Sequence, residues 1–510
     1  MTQSKRETER KYRPPSGGLA GLPDLTGVGP VASVTSAGPE ELDAVYHDTE
    51  DLRLAGSSVT LRRRTGGPDA GWHLKLPVGP DTREEVWAPL SDDVPEALRE
   101  LVLSRTRGAR LRPVVRIRST RQVRQLRDAG GGVLAELSLD EVRADATASG
   151  GGRAEWGELE VELADGVPAG LLDAVDKRLR KKGTVRADSP SKLARALRDT
   201  GVGDVAVRRP SAGVVAGSAG AYVLAYLREQ VGILVALDPA VRRERPDAVH
   251  QMRVTCRRLR ACLRSYRSVL DRRVTGPVGA ELRWLAGELG AARDQEVLRD
   301  RIGGALDTLP DDLVLGPVAA RLRAWEASRG VDVRSRTHAA LGAARYLRLL
   351  DALDTLVESP PLRAKAAGKP ARTMARAVLA EYHRLAGRME RALALPAGRT
   401  RQTELHEARK AAKKLRYAAE VARPALGKPV ARLGRHARAV QQLLGEHQDA
   451  VVAQDTLREL AVAAHGAGES AFTWGVLHGR ERAGAEARQR ALPGVWRAAS
   501  DPALRAPLAH

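Results

Sequence analysis

Glu7, Glu9 and Lys11 occupy alternate positions near the start of the chain. Successive strand side chains point to opposite faces, so a strand here sets two carboxylates and an ammonium side by side. The other face, with Thr8, Arg10 and Arg13, is polar too, and burial of an apolar face does not explain the stretch. Later segments supply complementary groups. In Ser58–Arg64, Val59 and Leu61 point one way and Arg62 and Arg64 the other; Trp72–Leu76 carries Lys75; Leu111–Ser119 carries Arg112, Arg116 and Arg118. Val133–Leu139 leads into Asp140, and Trp156–Leu163 places Glu158, Glu160 and Glu162 on one face. Guanidinium and ammonium groups neutralise phosphate oxygens well in a low-dielectric site. The acids would repel that ligand unless they hold a divalent cation, for which oxygen donors suit Mg²⁺ or Mn²⁺. The choice among Arg116, Arg118 and Arg121 depends on register, since a slip of one residue moves every side chain to the other face.

The elements needed to converge these groups are short strands joined by turns. Val31–Ser36, Glu41–Asp48 and Arg83–Trp87 also alternate, while Pro95–Leu103 looks helical. Eight such strands can close into an antiparallel barrel just wide enough for a small ligand.

The second half reads differently. Small residues and Pro210 mark 201–219 as a linker, and helical patterns dominate from Val223 onward. His250, Arg253, Arg257, Arg260 and Arg264 share a helix face, with Arg258 beside them and Leu259, Leu263, Tyr266 and Leu270 available for a core. The pattern returns 156 residues later as His406, Arg409, Lys413 and Arg416, with Lys410 and Lys414 interleaved. Leu289, Gly290 and Asp294 match Leu444, Gly445 and Asp449 at a spacing of 155. This is an internal duplication, 220–360 and 370–505, each half with room for about four helices. Like charges three and four residues apart destabilise an isolated helix by a few tenths of a kcal/mol per pair, roughly. Repeating that cost in two copies points to a bound polyanion.

Charge follows the same division. Residues 1–200 hold 32 Lys and Arg against 31 Asp and Glu, leaving 52 against 32 in the remainder, formal charges of +1 and +20. A basic second half fits nucleic acid, a phosphate polymer or a lipid surface. Few aromatics for base stacking and no helix-turn-helix or RRM signature speak against nucleic acid. Cys256 and Cys262 lie six residues apart on one expected helix, about 9 Å, too far to bridge. With no disulfide framework, signal region or run of 18 apolar residues, the cytoplasm is the expected compartment, with no membrane span.

Glu7-x-Glu9-x-Lys11, Tyr46-His-Asp48-Thr, Leu61-Arg62-x-Arg64, Trp72-x-Leu-Lys75-x-Pro77, Asp140-Glu141 and Gly157-Glu158-x-Glu160 together resemble the CYTH, or triphosphate tunnel, superfamily over nearly all of residues 1–200. The resemblance implies a metal-dependent triphosphatase. Glu7, Glu9, Asp140, Glu158 and Glu160 would surround the metal, and Lys11, Arg62, Arg64, Lys75, Arg116 and Arg118 would hold phosphate. Ser191-Lys192 resembles the family's late Ser-Lys and adds Lys192. Glu7, Glu9, Lys11 and Lys75 carry the expected catalytic roles. The doubled His-x-x-Arg segments resemble the CHAD family over about 220–500, which implies inorganic polyphosphate bound by His250, Arg253, Arg257, Arg258, Arg260, His406, Arg409, Lys410, Lys413, Lys414 and Arg416. The expected fold is a multidomain α+β chain, an eight-stranded antiparallel tunnel (1–200) followed by all-α duplicated four-helix bundles (220–505). The expected function is hydrolysis of inorganic triphosphate or a related triphosphate; the alternatives are a non-catalytic polyphosphate-binding protein and a class IV-like adenylate cyclase.

Overall fold

A computed structural model of the protein describes residues 3–15, 17–147, 151–203 and 214–509, with side chains throughout except at residues 19, 291–294 and 329–333. The chain forms two compact units, Met1–Arg209 and Pro210–His510. Most of the expected linker falls on residues 204–213, which lie outside the described residues.

In the first unit the strands are β1 (Gln3–Tyr12), β2 (Ser33–Asp48), β3 (Thr60–Thr65), β4 (Gly71–Pro77), β5 (Thr82–Ala88), β6 (Arg112–Arg127), β7 (Val133–Ala146) and β8 (Arg153–Leu163). They close into an antiparallel barrel in the order β1-β5-β4-β3-β2-β6-β7-β8. The first half of β1 pairs with β5 and its second half with β8, so this one strand completes the closure. The two short strands expected at 31–36 and 41–48 are one strand, β2, with an irregularity between Ala37 and Glu40.

The barrel is polar inside and apolar outside, as the alternation requires. Leu61, Leu74, Leu76 and Val86 point outward beneath α1 (Glu96–Thr106), against Leu98, Leu101 and Val102. Leu137, Leu159 and Val161 lie beneath α2 (Gly170–Lys181), against Leu172, Val175 and Leu179. Each buried Leu or Val contributes about 1.5–3 kcal/mol, which offsets the cost of a charged lumen. The short helix α3 (Lys192–Asp199) is placed differently. Its Leu193, Ala196 and Leu197 pack among Val115, Ile117, Val142 and Ala144, which share strand faces with Arg121 and Asp140. Those faces look inward, so α3 plugs one end of the barrel. Ser191 caps it, its Oγ accepting from Ala194 N at 3.1 Å.

The second unit is helical: α4 (Ala219–Arg242), α5 (Ala248–Ser265), α6 (Arg272–Glu288), α7 (Gly290–Asp307), α8 (Val318–Gly342), α9 (Ala344–Glu358), α10 (Pro370–Ala394), α11 (Arg399–Gly466) and α12 (Phe472–Ala499). Gly427, at φ 62° and ψ −137°, breaks α11 into two limbs, 399–426 and 428–466. The sequence offsets set α5 beside the first limb as equivalents and α6–α7 beside the second, while α4 and α10 precede, and α8 and α12 follow, each pair. Both copies feed one core, where Cys256, Leu259 and Leu263 join Leu415, Ala419 and Leu444. A second core gathers α7, α8, the end of α11 and α12 around Ile302, Leu322, Leu457 and Trp474. Both cysteines are free and buried. Helix α4 is long and apolar enough by composition to cross a membrane, with mean hydropathy 1.3, and its Val223, Leu224, Leu227 and Leu234 lie in the helical core.

Candidate active site and basic groove

The inward residues of the barrel enclose a cavity of about 660 Å³ floored by Ser191, Lys192 and Leu193 at the head of the plug. Among the described residues lining it, eight are basic and eight acidic. Nearly all are paired with one another. Lys11 Nζ lies 3.2 Å from Glu9, 3.9 Å from Glu158 and in contact with Glu160. Lys192 Nζ reaches Glu160 at 2.7 Å, Asp140 at 2.8 Å and Glu158 at 3.1 Å. Lys75 Nζ donates to Glu7 Oε2 at 2.5 Å, with Glu85 at 3.9 Å. Arg62 lies 3.3 Å from Tyr46 Oη and 3.9 Å from Glu85, and Arg64 pairs with Asp69.

Charge neighbours set the protonation states. Burial disfavours the Lys192 ammonium, yet Asp140, Glu160 and Glu158 hold its pKa well above the usual value. Burial likewise opposes ionisation of Glu160, and Lys11, Lys192 and Arg121 overcome it and keep the carboxylate well below its usual range. Glu7 behaves oppositely: burial pushes it up to about 8 against the pull of Lys75. The same burial would raise its neighbour Glu85, but Lys75, the His73 hydrogen bond and Arg62 hold Glu85 low. Glu7 and Glu85 are therefore pushed in opposite directions by their surroundings.

Two expected phosphate ligands are not in the cavity. Arg116 pairs with Asp43 at 2.5 Å and Arg118 with Asp145 at 2.5 Å, both half-exposed on the outer surface. The residue of β6 that enters the lumen is Arg121, whose Nε and Nη2 donate to Asp140 at 2.8 and 2.9 Å, with Glu160 at 3.4 Å. The error has a physical cause. At the plugged end the lumen is lined by Val115 and Ile117 to receive α3, so the basic parity of that stretch is the outer one. Glu85 was also missed. It sits at the hub of Lys75, Arg62 and His73, the last at 3.0 Å, and the alternation Arg83, Glu85, Trp87 would have shown it.

The expected metal ligands Glu7, Glu9, Asp140, Glu158 and Glu160 are all buried and lie in or against this cavity. Among the described residues no three Asp, Glu, His or Cys side chains surround a point that would hold an ion. Ammonium and guanidinium groups stand at the carboxylates instead. The donors are all oxygen, as Mg²⁺ or Mn²⁺ prefers, and buried Glu158 Oε1 has no hydrogen-bond partner despite its nearness to Lys192. The set fits a hard divalent cation that competes with Lys11 and Lys192 for these oxygens.

In the helical unit a groove of about 1080 Å³ is lined by twelve basic and two acidic residues among those described. Arg257 and Arg260 of α5 and Lys410, Lys413 and Lys414 of α11 all face it, joined by Arg264, Arg283 and Arg384. Arg257, Arg260, Arg264, Lys413 and Lys414 make no ion pair with any described residue. Burial, reinforced by surrounding cations, lowers the pKa of Arg257, Arg260, Lys413 and Lys414. The remaining expected residues lie outside the groove lining. Arg258 and Arg416 both close on Glu420, at 3.1 and 3.6 Å, and join the two copies. Arg253 donates to Gly290 O at 3.1 Å; in the second copy Arg409 lies 3.5 Å from Asp449, and His406 Nδ1 lies 3.3 Å from Gln448 Oε1. His250 lies in the equivalent place on α5, and the Asp294 side chain lies outside the described residues.

Residues 5–197 match the family model described as CYTH domain, and residues 225–458 the model described as CHAD domain. Two relatives from Mycobacterium tuberculosis strains, the uncharacterized proteins MT2285 and Rv2226, are each 39% identical over 501 residues, covering 93% of this chain and 92% of theirs. Among solved structures, PptA from Streptomyces chartreusis is 24% identical over 55% of this chain and 99% of its own, with TM-score 0.46. The CHAD domain from the plant Ricinus communis is 25% identical over 59% of this chain and 95% of its own, with TM-score 0.39.

Proposed function

The chain belongs to the family of proteins that join a CYTH domain to a CHAD domain, and on that premise we propose that it hydrolyses inorganic triphosphate or a related triphosphate in the barrel and binds inorganic polyphosphate in the helical groove. The observation that carries the hydrolytic reading is the enclosed lumen with its acids and bases in equal number. A purely anion-binding cavity needs no acids, and a purely metal-binding one needs no bases. Lys75, Arg62, Arg64, Arg121, Lys11 and Lys192 bind and orient the phosphate chain and neutralise its oxygens. Glu7, Glu9, Asp140, Glu158 and Glu160 would hold Mg²⁺ or Mn²⁺. Bound there, such an ion supplies Lewis-acid polarisation and lowers the pKa of its water. Glu85 keeps Lys75 and Arg62 oriented across the cavity, and α3 excludes bulk water from its floor. Entry of ligand exchanges internal ion pairs for new ones, so the lumen stays neutralised throughout.

Phosphate release from tripolyphosphate, measured with Mg²⁺ or Mn²⁺ and again after chelation, tests this. Release is expected only with metal, and Glu9→Ala is expected to abolish it; metal-loaded wild type that releases nothing, or a fully active Glu9→Ala protein, would sink the hydrolytic half. The groove's uncompensated charge supports the polyphosphate half, and direct titration with long-chain polyphosphate tests it separately.

A further inference from the structure

Among the differences between the two copies of the basic helix, one bears on protonation. Where α5 carries Arg257 and Arg258, the equivalent positions of α11 carry Lys413 and Lys414. Arginine stays protonated in proteins, whereas a buried lysine loses its proton readily. Lys413 is the one of these lysines set deepest among cations. Arg253 and Arg257 face it from α5, and Arg409 from one turn back on its own helix. Asp449, on the second limb of α11, is the acid near it, and Asp449 is engaged by Arg409 at 3.5 Å. Tyr417, Lys410, Lys414 and Glu407 line the same groove from its own helix. Arg260 and Arg264 line it from α5, Arg267 from the turn that follows, Arg272 and Arg283 from α6, and Glu381, His383, Arg384, Arg388 and Arg391 from α10. The two acids are engaged: Glu407 with Lys410 at 2.7 Å, and Glu381 with Arg384 at 2.6 Å. Lys413 thus has no described carboxylate within ion-pair distance and several guanidinium groups around it.

From this arrangement, and resting on the polyanion reading of the groove, we propose that polyphosphate binding is proton-linked, with Lys413 entering the complex from its neutral form and taking up a proton as phosphate oxygens reach it. The second copy is then the pH-responsive side of the groove and the arginine copy the invariant side. Burial, with Arg409 and Arg257, brings the free Lys413 down to about 7, which places the linkage near neutrality. An anion raises that value. The sign follows: below about pH 7 the Lys413 ammonium is already formed and Lys413 adds no pH dependence; above it, each complex requires a proton, and affinity falls by up to about tenfold per pH unit until the bound-state pKa is reached.

Calorimetric titration of the full chain with long-chain inorganic polyphosphate, in two buffers of different ionisation enthalpy at about pH 8, counts the protons taken up. Wild type is expected to take up as much as one proton more than Lys413→Arg, whose affinity becomes nearly flat across the same range. The converse variant, Arg257→Lys, places a second lysine at the equivalent position and is expected to add to the uptake. Equal proton uptake by wild type and Lys413→Arg overturns the linkage while leaving the groove as a polyphosphate site. Absence of binding at any pH overturns the polyanion reading itself, and the linkage with it.

Discussion

Arg118 and Arg121 stand three residues apart on one strand and have opposite fates. Arg118 is half-exposed and paired with Asp145, an arrangement typically contributing about 0–1 kcal/mol. Arg121 is held by both oxygens of fully buried Asp140, and its removal leaves that carboxylate to Lys192 and takes a guanidinium donor from the lumen. In a tripolyphosphate hydrolysis assay, Arg121→Ala is expected to lower kcat/KM by on the order of a hundredfold, the usual cost of one preorganised donor, and Arg118→Ala to stay within about twofold. An equal loss in both would mean that the outer arginines, and not the lumen, meet the substrate. The acids at 7, 9, 158 and 160 and the bases at 11, 62, 64 and 75 were legible because strict alternation fixes their face. Arg121 was not, because charge is a guide to the lumen only where the lumen holds solvent or ligand, and α3 makes one end of this one apolar.

At the scale of elements, the duplication was readable from spacing alone, while what joins its parts was not. In the first copy a loop separates α5 from α6; in the second Gly427, set between Pro424 and Pro429, does the same work. Gly427 adopts φ 62° with ψ −137°, a region that a side chain penalises by about 1–3 kcal/mol. Beyond it the second limb returns against the first, where Gly434 leaves only 3.3 Å between its absent Cβ and that of Ala419. Gly427→Ala is therefore expected to destabilise the helical unit by about 1–3 kcal/mol, seen as a lower melting temperature of its helical signal. An unchanged melting temperature would show that the two limbs can straighten or relax without loss. The groove's other wall, from α6 and α10, was illegible for a related reason: Arg283 and Arg384 belong to no repeated motif, and only tertiary packing brings them to face α5 and α11.

For the molecule as a whole, the proposed function has the two units meet phosphate by opposite electrostatic strategies, and the difference can be measured in one sample. The barrel pairs each cation with an acid inside an enclosed cavity, so its ligand replaces internal partners that salt reaches poorly. The groove presents twelve basic residues against two acidic ones, so its ligand displaces the mobile anions that neutralise the free surface. Raising NaCl from about 0.05 to 0.2 M is accordingly expected to weaken polyphosphate binding at least tenfold, by the same ion-release logic that governs basic proteins on nucleic acids. The KM for tripolyphosphate over that range, at fixed free metal, is expected to move much less. Glu9→Ala, measured alongside, is expected to lose hydrolysis and keep both the polyphosphate affinity and its salt dependence, since Glu9 lies in the barrel unit and the groove is built wholly from residues of the other. Should salt instead shift the two ligands in parallel, both would be binding at the uncompensated surface, and the paired charges of the lumen would need another explanation.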